Sequence, residues 1–298
     1  QTNPVRSHAR SLLAHPLAPT VLPKPNQTSS LQEFLNNLPQ RRRYWARGMI
    51  GYEFFAQATP NAGHLALARL SQTGKLLPII TQNVDGLHQK AAAVAATATS
   101  SPASAVPVIE LHGTGHTVVC MECRALEPRL DVHARLRQAN GAFLAKYPHY
   151  HELLRHSSIT PSSEHSSQRT LLMRADADAD LDSSINFQDF ELVHCTSCNS
   201  PTAVLKPHVV FFGETIPRHV TEHANQVLDS ADLLLAVGTS LQVFSAFRLA
   251  RMAAERGVPI AIVNIGETRA DSLASVKVED HCGKTLVALA STITGQAT

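Results

Sequence analysis

No stretch of eighteen apolar residues occurs in this 298-residue chain, and its longest apolar runs, such as 233–237, end within a few residues in turn chemistry. A helical membrane span is therefore not expected. Charge of one sign is lacking too: 26 basic against 24 acidic residues leave a net charge of +2. That balance is not the footprint of a protein that tracks phosphates, so direct nucleic-acid binding is not expected. Cysteine is scarce, with five residues, and four of them fall in two CxxC pairs rather than in a secreted disulfide framework. A reducing compartment and a bound metal are the expectation. Acidic residues are missing altogether from 1–32, which contain Arg6, Arg10, Lys24 and several Ser and Thr. This composition resembles an organellar presequence and points to the mitochondrial matrix, with cytoplasm or nucleus as alternatives. Oligomeric state leaves no readable signal.

What is present is enough apolar content, 44%, for one large α/β domain with a smaller appendage. Between about 61 and 73, Ala62, Leu65, Ala66 and Leu70 recur at helical spacing after Pro60, and the apolar run Leu76 to Ile80 follows as a strand. The alternation returns downstream. Val209 to Phe212 reads as a strand, 217–229 as a helix with Val220, Ala224 and Leu228, and Leu233 to Val237 as a strand. Next, 241–256 reads as a helix with Val243, Phe247, Ala250 and Ala254 on one face and Gly257 as its C-cap, before the strand Pro259 to Asn264. Apolar strands alternating with amphipathic helices predict βαβ units and a parallel, Rossmann-like sheet covered on both faces. The expected division is 1–40 as an atypical N-terminal segment, 41–115 and 205–298 as the two parts of the Rossmann-like domain, and 116–204 as a small module with a long insert. Residues 91–107, rich in Ala, Ser, Thr and Pro, read as an inserted loop. Between the cysteine pairs lie a Ser- and His-rich stretch at 156–167 and ADADADLD at 175–182. The acidic repeat lacks the spacing and glycine of a calcium loop and reads as a solvated turn.

Four cysteines carry the clearest chemistry. Cys120 and Cys123 form one CxxC and Cys195 and Cys198 the other, with 71 residues between the pairs. Two such knuckles close a tetrahedral thiolate cage around zinc, and four sulfur ligands leave no open position, so the metal is expected to be structural. The alternative is a set of redox-active or unrelated thiols. TQNVDGLHQKA at 81–91 follows the strand Leu76 to Ile80, placing Gln82, Asn83 and Asp85 at the carboxyl edge of the sheet, where open α/β folds bind ligands. ELHGTGH at 110–116 puts His112 after the apolar run Val108 to Leu111, as a candidate base beside the same crevice. One histidine among sixteen is by itself more often a surface or core residue. Gly238, Thr239 and Ser240 end a strand and open a helix, which suits either a ribose and phosphate site or a plain N-cap. Val209, Val210, Phe211, Phe212 and Gly213 read on pattern alone as buried strand, and Cys282 as a buried core thiol.

The combination of TQNVDGLH, ELHG, the two CxxC pairs, KPHVVFFGE at 206–214, GTSLQV at 238–243 and NIG at 264–266 resembles the sirtuins, in the family's own order and across roughly 44–298. RRRYWARG at 41–48, the long spacer and HCG at 281–283 most resemble the class II branch that includes the mitochondrial deacylase and ADP-ribosyltransferase. The resemblance implies an NAD-dependent protein lysine deacylase that releases nicotinamide and passes the acyl group to ADP-ribose. It further implies NAD and zinc as cofactors, and acylated lysine in proteins as substrate. By that resemblance His112 is the general base. Gln82, Asn83, Val84 and Asp85 would line the nicotinamide and ribose site, with Asp85 on the carboxamide. Gly238, Thr239 and Ser240 would contact ribose and phosphate, Asn264, Ile265 and Gly266 the adenosine ribose, and Cys282 the adenine side by packing. Val209 to Gly213 would offer backbone hydrogen bonds to an extended substrate peptide. ADP-ribosyl transfer to proteins, or a non-catalytic zinc-stabilised module, are the alternatives.

One part of the family pattern is absent: a glycine-rich loop and the segment after it, upstream of the RYWAR-like stretch. No glycine precedes Gly48, and the corresponding region reads SLLAHPLAPTVLPKP at 11–25. Ala and Pro cannot give the close backbone approach that a pyrophosphate needs. Loss of two or three charged hydrogen bonds predicts NAD binding weaker by roughly a hundredfold or more. The Gly-to-Ala change at Ala92 and the insert at 93–107 are further departures, at a position expected to tolerate length.

Overall fold

The computed structural model of the chain describes residues 30–99, 107–148 and 185–295. The presequence-like residues before 30, the 11–25 stretch, the Ser- and His-rich 156–167 and the acidic repeat at 175–182 lie outside the described residues. Helix α1 (Leu31–Asn36) opens on a capping box in which Glu33 N donates to Ser30 Oγ at 3.2 Å and Ser30 N donates to Glu33 Oε2 at 3.1 Å. Asn37 then caps α2 (Leu38–Gln57), with proline in its first turn, where a missing N–H costs nothing. Asn61 and His64 cap α3 (Ala62–Gln72) reciprocally.

Strand β1 (Ile79–Thr81) is shorter than the expected Leu76 to Ile80. Pro78 has no N–H for a ladder, so pairing starts after it. Parallel partnering with β2 (Val108–Glu110) runs from Ile79↔Val108 to Thr81↔Glu110. Helix α4 (Leu87–Thr99) occupies most of what reads as a loop at 91–107. Its alanines are strong helix formers, and Ala91 is buried against Ala68 and Ile79. Turn composition at 100–107 hid that helix.

An antiparallel sheet of order β4-β3-β5 follows, built from β3 (Gly113–Cys120), β4 (Leu126–Pro128) and β5 (Leu205–Val209), with α5 (Arg129–Ala139) and α6 (Gly141–Lys146) between β4 and β5. The expected strand Val209 to Phe212 is displaced: β5 pairs Leu205 with Cys120 and Lys206 with Val119, and the chain leaves the sheet after Val209. Helix α7 (Arg218–Asp229) buries Ala224 and Leu228 as its spacing predicts. Strands β6 (Leu234–Val237), β7 (Ile260–Val263) and β8 (Val276–Val278) form a parallel sheet. Between β6 and β7 lies α8 (Phe244–Glu255), and α9 (Cys282–Thr294) follows β8.

The buried face of α8 is Ala246, Leu249, Ala250 and Ala253 rather than the expected Val243, Phe247, Ala250 and Ala254. The helix begins after Val243, and the Arg269 guanidinium lies 4.2 Å from the centre of the Phe247 ring, holding that residue at the edge of the core. A second difference concerns the sheet. Among the described residues no strand pairs with the outer edge of β1 or of β6, so two parallel sheets stand where one was expected, and all four residues of β6 are half-buried.

Two large cores result. Ile109, Leu111, Ala224, Leu228, Leu249, Ile260 and Ile262 join β2, α7, α8 and β7. Phe34, Trp45, Ile50, Val118, Val132, Leu136 and Phe190 join α1 and α2 to the antiparallel sheet and α5. The chain thus contributes to the second core before it reaches β1.

Candidate active site and metal centre

His112 leaves β2 at its carboxyl end, where Leu111 N donates to Thr81 O at 2.9 Å. Its ring lies between two partners: Nδ1 is 3.2 Å from Gln82 O and Nε2 is 3.0 Å from Ser245 Oγ. A carbonyl oxygen only accepts, so Nδ1 carries the proton and Nε2 presents a lone pair to the serine hydroxyl. Burial pushes the imidazole pKa below its ordinary value, opposed in part by the Gln82 carbonyl. His112 is therefore neutral at pH 7. Its backbone is fixed too, since Val210 N donates to His112 O at 2.8 Å. The next residue must be glycine: Gly113 has φ +77°, and a Cβ there would fall 2.1 Å from His208 O.

The loop after β1 carries four of the predicted site residues. Gln82 Nε2 donates to Thr239 Oγ1 at 3.0 Å, tying this loop to the one after β6. Asn83 is exposed, with its N–H held by Thr81 Oγ1. Val84 O accepts from Gly115 N at 2.8 Å, and its side chain packs with Tyr52 and Phe55. Asp85 Oδ1 accepts from Leu87 N at 3.0 Å, capping α4, and Asp85 O bonds His116 Nε2 at 2.8 Å.

Gly238 turns at φ +60° and is followed by Thr239, exposed Ser240, and Leu241 at φ +54°. A left-handed leucine costs on the order of 1–2 kcal/mol, and here its N–H is held by Thr239 Oγ1 at 3.2 Å. Asn264 Nδ2 donates to Ile265 O and Gly266 O, closing the turn after β7. Cys282 Sγ bonds Val263 O at 3.4 Å and lies the same distance from where a Gly238 Cβ would stand. Residues 82–85, 238–240 and 264–266 thus leave the carboxyl ends of β1, β6 and β7, the end at which open α/β sheets take ligands.

The stretch 209–213 is not a buried strand. Val209 pairs with Gly113; Phe211 turns into an aromatic cluster with Phe34 and Tyr44 at 5.2 and 5.3 Å. Phe212 is 63% exposed, its carbonyl accepts from Leu31 N, and Gly213 is exposed at φ +84°. Lys206 and Glu214 brace this turn: Lys206 Nζ is 2.8 Å from Glu214 Oε2, which also accepts from Phe211 N at 2.6 Å.

The four cysteines converge. Sγ of Cys120 is 3.9 Å from Sγ of Cys198, that of Cys123 is 3.7 Å from that of Cys195, and all four lie within 4.8 Å of one another. A zinc tetrahedron with bonds of about 2.3 Å has edges of about 3.8 Å, so the donor set and its spacing fit zinc. Cys120 ends β3, whose first residue follows His112 directly. Eight extended residues separate the two centres by on the order of 20 Å, so a metal held by the four sulfurs would lie outside the reach of the imidazole, with no open position of its own, and would be structural.

Ser245, Lys206 and Glu214 went unrecognised at the level of sequence. The serine looks like an ordinary first-turn residue of a helix, and its partner is 133 positions away. Lys206 and Glu214 flank an apolar run with nothing to mark them as a buried pair.

Loops gathered at the carboxyl ends of parallel strands, a neutral imidazole beside them and a separate four-cysteine cluster together characterise the site. A model of the Sir2 family matches residues 13–245, and the chain belongs to that family, the sirtuins. It is 40% identical over 266 residues to NAD-dependent protein deacetylase 2 of Bradyrhizobium diazoefficiens, spanning 89% of this chain and 83% of that protein. It is 40% identical over 263 residues to NAD-dependent protein deacetylase of Xanthomonas axonopodis pv. citri, spanning 88% and 76%. Among solved structures, Sir2 bound to acetylated peptide aligns with TM-score 0.54 and 25% identity over 82% of this chain and 74% of that one. A Sir2 homolog–NAD complex shares the fold, with TM-score 0.56 and 22% identity over 89% and 75%.

Proposed function

We propose that the chain is an NAD-dependent protein deacetylase, removing acyl groups from protein lysines. The observation that carries this reading is the neutral His112 at the carboxyl end of β2, its Nδ1 on Gln82 O and its Nε2 lone pair directed at Ser245 Oγ. The carboxamide, carboxylate and hydroxyl groups of Gln82, Asn83, Asp85, Thr239 and Ser240 stand on half-exposed or exposed loops and fit the hydroxyls and carboxamide of NAD. When bound, NAD supplies the electrophilic ribose carbon and the nicotinamide leaving group, and accepts the acyl group. His112 takes up a proton at Nε2 as general base. Gln82 and Asn83 orient the ribose side and Asp85 the carboxamide side. Gly238, Thr239 and Ser240 hold ribose and phosphate, and Asn264, Ile265, Gly266 and Cys282 flank the adenosine. Val209, Val210, Phe211, Phe212 and Gly213 form the peptide edge, where the exposed backbone of Gly213 is open to an extended chain. Cys120, Cys123, Cys195 and Cys198 hold zinc.

The proposed division sets 1–40 apart, places residues 116–204 in the cysteine module and gives 41–115 and 205–298 to the sheet domain, with α1 and α2 docked on the module's core. The closer kinship with the class II branch rests on RRRYWARG at 41–48, the 71-residue spacer and HCG at 281–283. The mitochondrial placement rests on the composition of 1–32.

The test is release of nicotinamide from NAD with and without an acetylated lysine peptide, run over a wide range of NAD because the glycine-free 11–25 stretch predicts weak binding. Peptide-dependent release with deacetylated product is expected. Label carried onto protein without deacetylation would favour ADP-ribosyl transfer instead. Absence of both, in zinc-loaded folded protein, would leave a non-catalytic module.

A further inference from the structure

We propose that Ser245 is a positioning residue for the base, fixing the His112 ring from the first turn of α8. The inference rests on the reading of His112 as general base, and concerns how that ring is held. An imidazole anchored at Nδ1 alone still swings about its ring torsion, since one hydrogen bond to a carbonyl leaves Nε2 free to move. Ser245 Oγ, 3.0 Å from Nε2, removes that freedom. The serine does not serve as the helix cap: α8 has Val243 at its N-cap position and no side-chain cap bond.

Hydroxyl chemistry suits the position. The Ser245 O–H donates to the neutral ring at Nε2; the hydroxyl turns its hydrogen away to free the lone pair as Nε2 takes up a proton, and the same oxygen then accepts from Nε2–H, so one partner serves both charge states. The Gln82 carbonyl can only accept. Gln82–Thr239 and His112–Ser245 run side by side, each joining the β1–β2 half of the crevice to the β6–α8 half. No described strand pairs β1 with β6; the shared apolar core packs the two halves together, and these side-chain bonds add directional contacts between the His112 loop and the opposite wall. The amino end of the 12-residue α8 adds a partial positive charge beside the ring, which disfavours imidazolium in the resting state.

The test compares wild type, Ser245→Ala and Ser245→Thr by 15N NMR of the ligand-free protein and by steady-state kinetics. In wild type the His112 ring is expected as the Nδ1–H tautomer with a hydrogen-bonded Nε2. In Ser245→Ala the Nε2 resonance moves downfield to that of an unbonded ring nitrogen. kcat falls about tenfold, the worth of one hydrogen bond, while KM for NAD and peptide stays within about twofold. Ser245→Thr, which keeps the hydroxyl, restores both. An unchanged Nε2 resonance in folded Ser245→Ala would overturn the proposal, as would a kcat loss that threonine fails to rescue. His112→Ala separates the two readings: turnover retained there refutes the base, whereas the ligand-free spectrum of Ser245→Ala reports on the clamp whichever way that falls.

Discussion

For the proposed role of His112 as base the ring must be neutral, and burial holds its pKa below the ordinary value, so protonation sets in only under acid conditions. The acid limb of kcat/KM against pH is therefore expected below the free-imidazole value of about 6.5, with activity falling as pH drops through the depressed pKa. His112→Tyr is expected to lower kcat at least a hundredfold, the usual scale of general-base loss, with zinc content by metal analysis unchanged. Lys206 presents a second residue-level test. Its side chain is 4% exposed, and its ammonium meets Glu214 and the Val209 carbonyl and lies 4.5 Å from the Phe211 ring centre. Lys206→Met leaves the Glu214 carboxylate without its cation and is expected to destabilise the fold by roughly 3 kcal/mol in urea unfolding.

Strand β3 is the element on which site and cage depend together. It begins at Gly113, next to His112, and ends at Cys120, the first cage thiol. Gly113→Ala places a Cβ where His208 O already stands and forces a left-handed alanine, so β3 and β5 must part at the point where Val210 holds His112. Loss of stability by more than about 2 kcal/mol together with loss of activity is expected, read by urea unfolding and turnover. The cage acts from the other end. Treatment with a zinc chelator, or Cys195→Ser, is expected to lower Tm sharply and to reduce activity through strand disorder, since the four-cysteine cluster fits a structural zinc. Wild-type chain should carry about one zinc, and Cys195→Ser much less than one.

Across the whole molecule, burial lowers the pKa of His64, His88, His112, His133 and His208. In the unfolded chain each takes its proton near pH 6.5, while the folded chain still keeps it off; stability is full above that value and is lost as pH falls through the folded pKa values. Tm is accordingly expected to be lower at pH 5.5 than at pH 7.5 by thermal unfolding. The sequence by itself determined the α/β class, the helix α7 and its buried face, the cysteine pairs and the loops that gather at the strand ends, because these rest on spacing along the chain and on residue chemistry. It could not place β5, which is set by pairing with β3 across a gap of about ninety residues, nor α4, whose alanines sit beside turn composition. Only the tertiary structure decided that the parallel strands form two described sheets, that α1 and α2 pack with the cysteine module, and that a serine 133 positions away faces the His112 ring. Such contacts depend on which surfaces fold against each other, and that information is spread over the whole chain rather than held in any local pattern.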